Sequence, residues 1–77
     1  MARWHDRRKT AVRKAFGVIV RKKRYAIDIS QELLAEKAGL SVSYVGSVER
    51  GERNIALENI IALAHALGCS PRELMPE

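Results

Sequence analysis

The sequence has little of what builds a secreted or a membrane protein. Its 77 residues include one cysteine, so no intrachain disulfide framework is available, and that usage fits a reducing compartment. No apolar run approaches the ~18 residues that span a bilayer. The opening, Met-Ala-Arg-Trp-His-Asp-Arg-Arg-Lys, lacks the apolar core of a secretory signal, which predicts a cytoplasmic protein with no membrane partner. Both prolines, Pro71 and Pro76, stand near the end, so residues 1–70 are free of the strongest helix breaker. No strand pattern is present. Groups for chemistry are equally sparse. His65 and Cys69 have metal-ligand spacing, but no second pair accompanies them, His5 is remote and Gly68 interrupts the helix between them. Cys69 has no base beside it and reads as a small hydrophobe. No enzyme, metal or cofactor is expected.

What is present is apolar content and positive charge. Hydrophobic residues make up 47% and charged residues 30%, a globular composition. A chain this short is one domain that buries only about 60% of its unfolded surface, so a second copy of itself is the expected source of further burial. The net charge is +5, and it is unevenly spread. Residues 1–24 carry ten basic side chains against Asp6 alone, whereas residues 25–77 carry four basic and eight acidic ones. Such a basic region points to a polyanionic partner, nucleic acid before an anionic membrane. Residues 1–9 read as a basic arm and residues 10–77 as the folded domain. The arm either wraps DNA, is solvated, or lengthens the first helix. Trp4 within it fits equally a place on the domain, on a partner chain, or unpacked.

The periodicity is helical throughout. Val12, Phe16, Ile19, Val20 and Lys23 recur at three- and four-residue steps and lay a stripe along a first helix over about residues 8–26. Ser30 reads as the N-cap of a second helix, 31–38, which Gly39 ends in the left-handed conformation. Ser41 caps a third helix, Val42 to Arg50, closed by Gly51. A fourth runs through Leu57, Ile60, Ile61, Ala64 and Leu67 to Gly68, and Ser70-Pro71 starts a fifth over Arg72 to Met75. Two short helices around a glycine turn form a helix-turn-helix. Ala35 is small at the crossing, and Leu40, Val45 and Val48 plug the seam behind it. Val42, Ser43, Tyr44, Gly46, Ser47 and Arg50 are left to face outward, a surface small enough to enter a groove.

The run Ser30-Gln31-Glu32-Leu33-Leu34-Ala35-Glu36-Lys37-Ala38-Gly39-Leu40-Ser41, followed by Val45, Val48, Glu49, Arg50 and Gly51, closely resembles the Cro and lambda-repressor-like (Xre-type) helix-turn-helix domain. The likeness extends over roughly residues 12–75, from Phe16-Gly17 and Arg21 to Leu57–Gly68 and Ser70–Leu74. It implies an all-α, compact five-helix domain that binds double-stranded DNA in the major groove as a homodimer on an inverted repeat. By the same resemblance Gln31 bonds a phosphate. Val42, Ser43, Gly46 and Ser47 meet base edges, and Ser41, Tyr44, Arg50 and Arg53 lie near the DNA backbone. Arg24 and Glu49 match an ion pair between the first helix and the end of the recognition helix. Leu74 and Met75, on the last turn, are expected in the core or at the dimer interface, the interface favoured.

The chain also departs from that pattern. Its base-reading positions hold no Gln, Asn or Arg, so no obvious bidentate base contact is available. Asp28 stands where a glycine is usual, Lys23 where a leucine is, and Leu33 where a polar residue is. The function expected is a small autoregulatory switch: a phage-type repressor, a restriction–modification controller or a mobile-element regulator. No small-molecule effector is expected, since the length leaves no room for a sensor domain. An antitoxin-like interaction module with secondary DNA binding is the alternative, with Leu33 or the Met75 end as its apolar contact.

Overall fold

The computed structural model describes residues 6–77, so Arg3, Trp4 and His5 of the basic arm lie outside the described part. Among the described residues there are four α-helices: α1 (Asp6–Ala26), α2 (Gln31–Ala38), α3 (Val42–Glu49) and α4 (Leu57–Leu67). The fifth helix expected from the sequence is instead a single 3₁₀ turn, Pro71–Leu74. Ser70 and Glu73 explain its shape. The Ser70 hydroxyl accepts from Arg72 N at 3.2 Å, and the Glu73 carboxylate accepts from Ser70 N at 2.9 Å. That closes one turn, and Pro76 follows too soon for an α-helical second.

Side-chain caps set the starts of the two short helices. The Ser30 hydroxyl accepts from Leu33 N at 3.0 Å and the Ser41 hydroxyl from Tyr44 N at 3.1 Å. Gly39 ends α2 at φ 70°, and its amide and that of Leu40 return to carbonyls of the last turn. Asp28 takes φ 57° where a glycine is usual, one of the few residue types that visit this region. The turn it makes closes α1 through Asp28 N to Tyr25 O and Ile29 N to Arg24 O.

α1 begins at Asp6, so residues 6–9 of the segment set apart as an arm are helical. Nothing in that stretch breaks a helix. Its 21 residues extend ~31 Å. The first turns project past the core, so residues 7–12 are all exposed, Val12 among them at the head of the apolar stripe. Further along, Phe16 and Val20 enter the core with Leu34 and Ala35 of α2, Val45 and Val48 of α3, and Leu63, Ala64 and Leu67 of α4. Leu74 completes this core at 0% exposure. Of the two places open to it, core and interface, the structure gives it the core. Its neighbour Met75 is exposed. Lys23 ends the stripe by bonding Glu73 at 2.9 Å, which ties α1 to the final turn.

Gly17 fixes how α1 meets α3. A Cβ there would lie 2.5 Å from the carbonyl oxygens of both Val48 and Glu49. The α1 backbone thus rests directly on the C-terminal end of α3, an approach open only to glycine.

Candidate DNA interface

The end of α3 is held by one carboxylate. Arg24 Nε donates to Glu49 Oε2 at 2.6 Å, and an Arg24 Nη donates to Oε1 at 2.9 Å. Gln31 Nε2 donates to the same Oε1 at 3.0 Å, and Arg21 Nε approaches it at 3.5 Å. Glu49 is thereby joined to α1 and to the first residue of α2. Its side chain is fully buried, and so nearly is Arg24. Burial pushes the Glu49 carboxyl up. The bonds from Arg24 and Gln31, with the charge of Arg24, outweigh that and hold it below the usual carboxylate range. The bond to Glu49 raises the Arg24 guanidinium in turn, against the cost of its burial. A second Arg24 Nη bond, to Ile29 O at 3.0 Å, reaches the turn before α2. Every buried polar side-chain atom among the described residues has a partner, which an ion pair in this setting requires.

Above this junction α3 presents two faces. Ser41, Val42 and Ser43 are exposed at its start, and no side chain among the described residues bonds Ser43. Tyr44, Ser47 and the loop beyond α3 form the other. The Ser47 hydroxyl donates to Tyr44 O at 2.7 Å and accepts from Arg53 Nε at 2.9 Å. The Arg53 guanidinium lies over the Tyr44 ring, 5.3 Å from its centroid, and Asn59 Nδ2 of α4 donates to the Tyr44 hydroxyl at 3.1 Å. Arg50, exposed, pairs with Glu52 at 3.0 Å.

A helix-turn-helix family profile matches residues 20–74. The chain belongs to the lambda-repressor-type (Xre) helix-turn-helix family. It is 50% identical over 56 residues to the control protein C.SmaI of Serratia marcescens, covering 73% of this chain and 67% of that one. The crystal structure of the restriction-modification controller protein C.AhdI from Aeromonas hydrophila superposes with a TM-score of 0.83 at 52% identity, over 84% of this chain and 98% of that one. The P22 c2 repressor, solved in complex with a synthetic operator, is 35% identical with a TM-score of 0.73, over 78% of this chain and 91% of that one. The family is one of DNA-binding transcription regulators, not of enzymes. Among the described residues no helix is long and apolar enough to cross a membrane, and no cluster of three or more His, Cys, Asp or Glu is placed to hold a metal.

The helix-turn-helix brings most of the expected site residues to one surface but gives several a different position. Gln31 is half-buried at the start of α2, held by Glu49. Val42 and Ser43 are exposed. Gly46 and Ser47, expected to face outward, are buried. The Gln31 carboxamide and an Arg50 Nη lie over the Gly46 backbone, and Arg53 covers Ser47. Tyr44 divides its roles: its ring packs at the edge of the core while its hydroxyl meets Asn59. Sequence reasoning did not place Arg21 and Gln31 on Glu49, nor Asn59 on the Tyr44 hydroxyl. One signal was there for the first: Arg21 and Arg24 are three apart, on one face of α1.

Proposed function

We propose that this chain is a sequence-specific transcriptional regulator that sets the start of α3 into the DNA major groove and acts as a homodimer on an inverted-repeat operator. The observation that carries it is the contrast within α3. Ser41, Val42 and Ser43 are exposed at the end that enters a groove, while the other end is clamped through Glu49 to α1 and α2. Val42 offers an apolar contact to a thymine methyl, and Ser43 a donor or an acceptor. Gln31, Arg50 and Arg53 flank them as phosphate contacts. The likeness to C.SmaI and C.AhdI favours the restriction–modification controller among the small switches, and no observation favours the antitoxin-like alternative.

For the dimer, Leu57 and Ile61 are both exposed on α4, one turn apart and so on the same face, and Met75 is exposed beyond the final turn. With Leu74 in the core, Leu57 and Ile61 join Met75 in the proposed interface. Selection from a random duplex pool at near-physiological salt tests the whole reading. An enriched inverted repeat with half-site centres about one helical turn, ~34 Å, apart is the expected result. Salt-sensitive retention of all sequences alike, with no enrichment, overturns it.

A further inference from the structure

Ser47 sits in the segment that faces DNA in the proposed function, yet its geometry is that of a residue that touches no base. It is 6% exposed. A serine hydroxyl has one proton, and here that proton goes to Tyr44 O. The oxygen then turns its lone pairs outward, where Arg53 Nε fills one of them. No donor is left for a base edge.

What this arrangement fixes is Arg53. Nε is anchored on Ser47, and the planar guanidinium lies against the Tyr44 ring. That ring is itself held from α4 by Asn59. Arg53 is exposed, and nothing among the described residues accepts from either of its Nη atoms. Two parallel donors at the outer edge of a fixed plane match a phosphate bidentately. An arginine held this way loses less rotamer freedom on binding than a free one.

We propose that Ser47 is a positioning residue, which holds the Arg53 guanidinium against Tyr44 with both Nη groups presented to a DNA backbone phosphate. The proposal rests on the DNA-binding reading above. It separates Ser47 from Ser43: one orients a phosphate contact, the other faces the bases.

The test is a double-mutant cycle on the duplex enriched from the random pool, with the unsubstituted chain, Ser47→Ala, Arg53→Lys and the pair. Arg53→Lys keeps the charge and loses Nε. Ser47→Ala is expected to weaken binding about tenfold, the scale of one charge-assisted hydrogen bond, at every operator variant alike. In the Arg53→Lys background the same substitution changes affinity less than about twofold. The free protein supplies a readout that loss of stability alone would not move. The Arg53 Nε–Hε resonance is expected to be protected in the unsubstituted chain and lost in Ser47→Ala, at temperatures where both melt curves show folded protein. A full loss that persists in the Arg53→Lys background, a changed preference at one base pair, or no loss from Ser47→Ala overturns the proposal while the DNA reading stands. A chain that retains no duplex at all overturns the DNA reading and this proposal with it.

Discussion

Val42 and Ser43, at the start of α3, are exposed and joined to nothing but their own helix, whereas Gly46 to Glu49, at its end, are buried beneath side chains from α1, α2 and the following loop. The two ends of this eight-residue helix therefore differ in what surrounds them. In its first turn Val42 and Ser43 are exposed, while Val45 enters the core. Its second turn is held by a carboxylate that takes bonds from Arg24 and Gln31. A helix of eight residues has little stability of its own, so its docking angle must come from such contacts. On the proposed reading, specificity can then vary at Val42 and Ser43 without disturbing the frame.

The sharpest way to break this contrast is to remove the anchor. Glu49→Ala strands the Arg24 guanidinium in a buried site, and breaking a pair of this kind costs about 3–5 kcal/mol. Ser43→Ala, six residues earlier on an exposed face, is expected to change stability by no more than about 0.5 kcal/mol. Urea denaturation of both variants measures the difference, and equal losses would erase the distinction between the two turns. Acid probes the same anchor without mutation. The folded Glu49 carboxyl lies below its ordinary value, so its contribution is fully present above the unfolded carboxylate pKa of about 4.3 and is lost as pH falls through the lower, folded value. Glu49→Gln should flatten the dependence of stability on pH below about 4.3. An unchanged acid limb would assign the acid sensitivity to other carboxylates.

The parts of this arrangement that depend on local chemistry were legible in the sequence. Ser30, Ser41 and Ser70 cap because a hydroxyl at a helix start can satisfy an orphan amide, whatever lies around it. The Arg24–Glu49 match came with the family resemblance, and the structure brings the two side chains together. What was not legible depends on how elements cross. Ser47 is small and polar, and such a residue suits solvent as well as the underside of an arginine. The loop after α3 brings Arg53 over it. Leu74 read as core or interface, with the interface favoured, because a hydrophobe on a short last turn had no visible host. The host is a gap closed by α1 and α4 around that turn, which no local pattern reveals.

A smaller effect sharpens the contrast on the DNA side. Ser43→Ala should shift the preferred base at one position of each half-site, by about 1–3 kcal/mol of discrimination, and Val42→Ala should do so where a thymine methyl is met. Gln31→Ala should weaken all sequences about equally, because a phosphate contact carries register and no sequence. It also removes one of the bonds to Glu49, so some loss of stability accompanies it. Repeating the duplex selection with each variant checks the assignment. A preference altered by Gln31→Ala and untouched by Ser43→Ala would move the reading surface off the start of α3.

The smallest effect concerns how far the interface extends beyond the helix-turn-helix. Lys14 packs on Gly51, and Lys9 and Arg13 line a shallow recess with Asn54, so the basic turns of α1 run beside the loop that carries Arg50 and Arg53. The positive surface of the loop thus continues along α1 toward the basic arm. If DNA flanking the half-site lies on that surface, deleting residues 1–9 removes charges that displace counterions. The slope of log affinity against log salt should then flatten by about 0.9 for each phosphate no longer neutralised, while the preferred sequence stays the same. The two quantities separate the possible roles. A flatter slope with an unchanged operator makes the arm an electrostatic extension of the frame. A changed operator would give it a share in reading, which the bare turn of α3 would then no longer hold alone. An unchanged slope confines the interface to the helix-turn-helix and its loop.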